Sequence, residues 1–317
     1  ASTYGEISYQ CVYLKAHFPA EFFAGVLSNR GGFYHPAVYV EEARRCGVTI
    51  LPPGVNASQW QYTAEGGALR VGFVEIRNLT HHAVKAILDA RAGGPFQSFA
   101  EFLRRTGVAP SDAEILLQAG ACDEFEETRP EMLWTLKTYA RSTVCEETGA
   151  WLPMTIQSIP APHRPDCARR KRADDEWAAL GLLVSTHPIE YYAPATRHRA
   201  VIASSDLAAY AGKTVSMLGW LIAERRVGLK GRGVMKFLTL EDMSGVFEAI
   251  LFPKAYERYG HLLTSQGPYI LTGNVQEENA CHSLIVEKLE RPGKRPKAAG
   301  VSEITPPLHW LYPEMRQ

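Results

Sequence analysis

The residues with the clearest chemical potential lie in one short run. Arg225, Arg226, Lys230, Arg232 and Lys236 place five cations among Gly228, Gly231 and Gly233. Cations on a glycine-rich turn suit a clamp on a phosphate backbone, and each phosphate neutralised releases counterions and adds salt dependence. Phe237 follows at once and alternates with Leu238 and Leu240. If those two leucines are core, Phe237 points outward, where an aromatic ring can stack a base. The competing reading is a hairpin whose cations are merely solvated, with Phe237 packed. Trp220, nearby, reads as core.

A second candidate lies upstream. Arg77-Asn78-Leu79-Thr80-His81-His82 reads as a tight turn entering a helix, with Arg77 and Lys85 supplying charge. Backbone N–H groups at such a helix start can hold phosphate. Turns of this kind usually need glycine, and none is present, although Asn78 tolerates a left-handed backbone. A working clamp and a structural remnant both remain open. Adjacent histidines diverge by about 100° on a helix, so His81 and His82 cannot converge on one ion. No carboxylate or thiol stands at a productive spacing from them, so no metal site is expected.

Other chemistry finds little support. Cys11, Cys46, Cys122, Cys145, Cys167 and Cys281 form no CxxC pair and read as scattered reduced thiols. There is no GxSxG elbow, no phosphate-cradling GxxxxGK[ST] loop and no dinucleotide fingerprint. No catalytic residues and no cofactor are assigned. The run Arg169-Arg170-Lys171-Arg172 reads as part of a solvated linker.

The elements that must position these residues follow from periodicity. Tyr4, Ile7, Cys11, Leu14 and Phe18 recur at helical spacing from the first residue. The chain has no initiator methionine and opens inside this helix, which suggests a chain cut from something longer, although removal of the initiator would look the same. In the helix "HPAVYVEEARRCGV", Val38, Ala43 and Cys46 face inward and Glu41, Glu42, Arg44 and Arg45 form the wet side. A hairpin is expected with its turn at Glu65-Gly66-Gly67. Then come short helices punctuated by glycine, with Ser98 and Glu101 at capping-box spacing. Two such units in tandem form a helix-hairpin-helix arrangement.

From Lys213 the period changes to two. Three strands, a helix and two more strands follow, the order of the OB-fold, a small closed Greek-key barrel. The fold class is therefore α+β: a helical N-terminal part with tandem helix-hairpin-helix-like units, followed by a five-stranded OB-fold β-barrel. Segment boundaries fall at 1–60, 61–142, a linker at 143–175, a helical connector at 176–212, the barrel at 213–291 and a basic tail at 292–317.

Composition adds bounds. In 317 residues, 34 Lys and Arg balance 34 Asp and Glu, so no global charge argues for a polyanion partner. The balance is local instead: residues 213–297 hold 13 cations against 9 anions, and five of the 13 fall within 225–236. No apolar run approaches the ~18 residues of a membrane span, and there is no secretory leader. A soluble, cytoplasmic protein with no membrane partner is expected.

Several stretches together resemble the C-terminal part of bacterial C-family DNA polymerases, the DNA polymerase III alpha subunit and its error-prone relative. "SYQCVYLKAHFPAEFFAGVLSN" (8–29) is similar to the end of their fingers region. "GFYHPAVYVEEARRCGVTILPPGVNAS" (32–58) continues the likeness and leans to the error-prone type. "AILDARAGGPFQSFAEFLRRTGV" and "LLQAGACDEF" resemble the tandem helix-hairpin-helix region. "LGLLVSTHPIEYY" (180–192) and "FLTLEDMSGVFEAILFPKAYERY" (237–259) resemble later segments, the second in the OB domain.

The resemblance implies a DNA-holding region for replication or translesion and repair synthesis. Helices near 77–85 and 104–115 would hold product duplex, and the barrel would contact single-stranded template. It places the palm carboxylates and their two Mg ions upstream of this chain, so nucleotidyltransferase activity is not expected of the chain alone. The family's clamp-binding peptide has no clear equivalent in "WLPMTIQSIPAP", which counts against sliding-clamp binding. The alternative is a protein-interaction module whose barrel docks a replisome subunit.

Overall fold

A computed structural model describes residues 2–147, 162–192, 200–229, 233–279 and 281–292. The chain divides into two compact units, one of residues 1–32 and 39–185, the other of 33–38 and 186–317.

The first unit is helical. It begins with α1 (Ser2–His17), which ends where Pro19 opens α2 (Pro19–Ser28). In α2, Ala20, Phe23, Ala24 and Leu27 are buried at the i, i+3, i+4, i+7 spacing of one apolar face. In α3 (Pro36–Arg45) the expected faces are partly exchanged. Ala43 is inside as expected, but Val40 and Glu41 are also buried, while Cys46 is exposed. Glu41 sits 3.8 Å from Arg44, and a paired carboxylate can be buried where a lone one cannot.

Strands β1 (Ile50–Leu51), β2 (Thr63–Glu65) and β3 (Ala68–Arg70) form a small sheet in the order β1-β3-β2. Its hairpin turns at Gly66 and Gly67, with φ of +57° and +81°. Two consecutive left-handed residues are what a tight hairpin turn demands.

Helices α4 (His81–Arg91), α5 (Phe99–Thr106), α6 (Pro110–Gln118) and α7 (Arg129–Glu147) follow. The α5 start is built as its sequence implies. The Ser98 side chain accepts from the Glu101 N–H at 3.2 Å, and Glu101 Oε2 accepts from the Gln97 N–H at 2.9 Å. Phe96, Phe99, Phe102 and Leu103 fill the core beneath it. The basic run 169–172 is not loop: it forms the first turn of α8 (Arg169–Leu180). Four cations oppose the dipole at a helix start. Arg172 is offset by Asp166 at 3.1 Å, and Lys171 pairs with Asp175. Gly181, left-handed at φ +75°, ends the helix.

The second unit is a closed barrel preceded by the short α9 (Pro188–Tyr192). Its strands are β4 (Thr214–Leu229), β5 (Gly233–Glu241), β6 (Val246–Leu251), β7 (Tyr269–Glu278) and β8 (Cys281–Glu290). They close in the order β4-β5-β6-β8-β7, with α10 (Pro253–Tyr259) between the third and fourth strands, as an OB-fold requires. The long β4 closes the barrel: Thr214–Gly219 pair with β7, and from Trp220 onward the strand pairs with β5. Met217, Leu238, Leu240, Ala249, Leu251, Leu271 and Leu284 fill the interior. Gly273 is required where β7 slips register against β8, because a Cβ there would lie 2.0 Å from the Ile285 carbonyl oxygen. Asp242 builds the β5–β6 turn by accepting from the Ser244 and Gly245 N–H groups at 2.8 and 2.9 Å.

Candidate nucleic-acid interface

Strand alternation sorts the barrel's candidates. Leu238 and Leu240 are completely buried, so Phe237 lies on the opposite, outer side of β5 and is half-exposed. Its cross-strand neighbours are Arg225 on β4 and Ile250 on β6, and Ile250 in turn faces Ile285 on β8. Val227 and Met235 form the adjoining pair. Arg225 is exposed and the apolar members of the row are half-exposed. The outer face therefore carries a row of one cation, one aromatic ring and two branched aliphatics across four strands. A flat aromatic flanked by a cation can take the face of a base and its phosphate together.

The same alternation corrects Lys236. It shares the inward phase of Leu238 and is 5% exposed. Its Nζ lies 2.7 Å from Glu224 Oε2 and 5.7 Å from the Tyr256 ring centre on α10. Its charge is spent inside the barrel, so it is not placed to reach a phosphate. Arg226 pairs with Lys236 across the ladder, and its guanidinium lies 5.6 Å from the same Tyr256 ring while remaining exposed. Arg225 and Arg226 sit on a strand, not in a flexible loop, because the ladder runs on to the Leu229–Gly233 pair. Lys230 and Arg232 lie outside the described residues.

The helical candidates separate in the same way. Asn78 has φ +61°, so it supplies the left-handed residue that glycine would otherwise supply. Thr80 caps α4, its Oγ1 accepting from the Ala83 N–H at 3.1 Å. The Thr80 N–H and hydroxyl both donate to the Asp112 carboxylate, at 3.1 and 3.0 Å. Asp112 lies in the first turn of α6, so the starts of α4 and α6 are tied side by side. The turn between α5 and α6 uses Gly107 at φ +60°.

Lys85, His81 and His82 are exposed on α4, and the Trp60 ring packs against His81 with centres 4.5 Å apart and planes tilted by 32°. Arg77 is instead half-buried. Its N–H donates to the Ala179 carbonyl at 2.8 Å, and its guanidinium occupies the space a side chain at Gly181 would need. It braces the end of α8. Beneath it, burial pushes the Tyr62 phenol well above its usual range and raises the Glu75 carboxyl, while Arg30 and Arg77 draw Glu75 back down.

Sequence reasoning missed Ile250, Ile285, Asp112 and Trp60. The first two were open to the period-2 argument applied to Phe237. The Thr80–Asp112 tie spans 32 residues and left no local signal.

Residues 47–132 match the helix-hairpin-helix motif family, and residues 215–291 match the OB-fold nucleic acid binding domain family. DNA polymerase III subunit alpha of Thermus aquaticus is 31% identical over 95% of this chain and 26% of its own length. The chain is a homologue of alpha-type bacterial DNA polymerases. Error-prone DNA polymerases match equally broadly: that of Ruegeria pomeroyi is 30% identical over 96% of the chain, that of Symbiobacterium thermophilum 27% over 91%. Both kinds of alpha-type polymerase are thus similar to it at comparable identity. The chain spans about a quarter to a third of the length of these relatives. Among the described residues, no helix is long and apolar enough to cross a membrane.

Proposed function

We propose that this chain is the DNA-holding C-terminal region of an alpha-type DNA polymerase serving replication or repair synthesis. The barrel's outer face takes single-stranded template, and the paired starts of α4 and α6 lie against product duplex. The observation that carries this reading is the Arg225–Phe237–Ile250–Ile285 row, half-exposed on an OB barrel. Base stacking there and phosphate contact at Arg225 and Arg226 need no sequence readout, as suits a polymerase that copies any template. Lys85 and the exposed histidines supply the polar edge of the duplex side. Nucleotidyl transfer, on this reading, belongs to polypeptide that the relatives carry beyond the matched region.

The test is fluorescence anisotropy of a labelled single-stranded oligonucleotide across a salt series. Binding should weaken steeply with salt, by a log–log slope of about −0.7 per phosphate contacted. Changing Arg225, Arg226, Lys230 and Arg232 to Ala together should weaken binding and flatten that slope. A slope unchanged by the quadruple substitution sinks the proposal. Absent binding at low salt would favour a barrel that docks a replisome protein instead.

A further inference from the structure

Beside the Phe237 row runs a second row of different chemistry. Thr239 on β5 pairs with Glu248 on β6, Glu248 with Ser283 on β8, and Ser283 with Gln276 on β7. Their strand neighbours Leu238, Leu240, Phe247, Ala249, Val275 and Leu284 are buried, so all four side chains lie on the outer face. The first row is mostly apolar, whereas the second consists of hydrogen-bonding groups with one charge among them. Glu248 is exposed, and among the described residues no cation pairs with it.

Together the two rows give the face a direction. Phe237 has Arg225 directly opposite on β4 and Glu248 placed diagonally on β6. Diagonal positions on one face lie about 7–8 Å apart, within reach of aromatic and long side chains. A nucleotide is polar in the same sense, with its phosphate at one end and the hydrogen-bonding edge of its base at the other. With the base on Phe237 and the phosphate at Arg225, that edge points across β6 towards Glu248. An ionised carboxylate only accepts hydrogen bonds. It suits the N4 amino group of cytosine and repels the O4 acceptor that thymine holds at the same place.

We propose that Glu248 contacts the edge of the stacked base and biases the barrel towards a base with an amino group there, cytosine over thymine. The proposal rests on single-strand binding at this face. The bias is modest and falls on one nucleotide, so any template is still held.

The experiment is anisotropy of labelled oligodeoxycytidine and oligothymidine of equal length. Equal length keeps the phosphate contacts in common, so the ratio of the two affinities isolates the base and is independent of salt. In Glu248→Ala the preference for cytosine over thymine should fall about fivefold, the low end for a base-edge contact, since the site is open to water. Glutamine can accept from cytosine N4 or donate to thymine O4. Glu248→Gln should therefore raise thymine affinity while keeping cytosine affinity. Glu257→Ala removes the same charge from an exposed position on α10 and should leave the ratio unchanged. An unchanged ratio in Glu248→Ala, equal strengthening of both oligomers, or the same shift in Glu257→Ala would reduce Glu248 to surface charge. Each would overturn the proposal while single-strand binding at this face stands. Binding of neither oligomer by the wild type at low salt would overturn both.

Discussion

Lys236→Met separates the two roles that a cation near this hairpin can have. The Lys236 side chain is 6% exposed and that of Glu224 15%, with 2.7 Å between the charged atoms. Methionine keeps much of the stem's apolar contact but leaves the Glu224 carboxylate without its partner. Breaking a buried pair from one side costs about 3–5 kcal/mol, and the partial exposure of Glu224 lowers this to about 2–4 kcal/mol. For a domain the size of the barrel that is a Tm loss of more than about 10 °C. Replacing both partners, Lys236→Met with Glu224→Leu, should recover most of the loss, because desolvation rather than attraction dominates such pairs. Differential scanning calorimetry of the single and double variants checks this. The salt slope of single-strand binding should stay at the wild-type value in the double variant. Unchanged stability in Lys236→Met, or a flattened slope in the stable double variant, would refute the internal role and return Lys236 to the binding surface.

Three further outcomes follow from the helical unit. Asn78→Gly should be close to neutral and Asn78→Val destabilising by about 1–2 kcal/mol, since Asn78 is left-handed and a β-branched residue resists that region; urea denaturation measures both. Thr80→Val removes the α4 cap and the hydroxyl's bond to Asp112 at the α6 start, leaving the backbone N–H bond in place, so it should cost about 1–2 kcal/mol. It should also weaken duplex binding more than single-strand binding in parallel anisotropy titrations. Glu75 has its carboxyl raised in the fold by burial, so the native state holds that proton more tightly than the unfolded chain does. Stability from this residue therefore falls as pH rises from the ordinary carboxylate range, about 4.3, through the raised value. Glu75→Gln should flatten that part of the pH–stability curve, and an unaltered curve would contradict the buried-acid assignment.

Much of this architecture is legible from local pattern. The alternation around Leu238 and Leu240 places Phe237 on the outer face, and the strand-helix order around α10 announces the barrel. The left-handed tolerance of Asn78 anticipates its φ of +61°. The same alternation puts Lys236 inside with Leu238, but a cation beside glycines reads as surface until its phase is counted. The run at 169–172 reads as linker in the sequence, since four cations at a helix start oppose its dipole. What offsets them, Asp166 and Asp175, becomes visible only in three dimensions. The Thr80–Asp112 tie joins residues far apart in sequence and leaves no periodic trace. Buried Glu41 likewise depends on the charge that tertiary packing brings to it.

The central claim is that the outer face of the barrel stacks and neutralises single-stranded DNA. Its most direct measurement is anisotropy of a labelled oligothymidine against wild type, Phe237→Ala and Arg225→Ala with Arg226→Ala. Phe237→Ala should weaken binding by about 1–3 kcal/mol, roughly five- to 150-fold, with the salt slope unchanged. The double arginine variant should flatten the slope by about 1.4. Wild-type affinity and slope in both variants, with the barrel still folded, would contradict it.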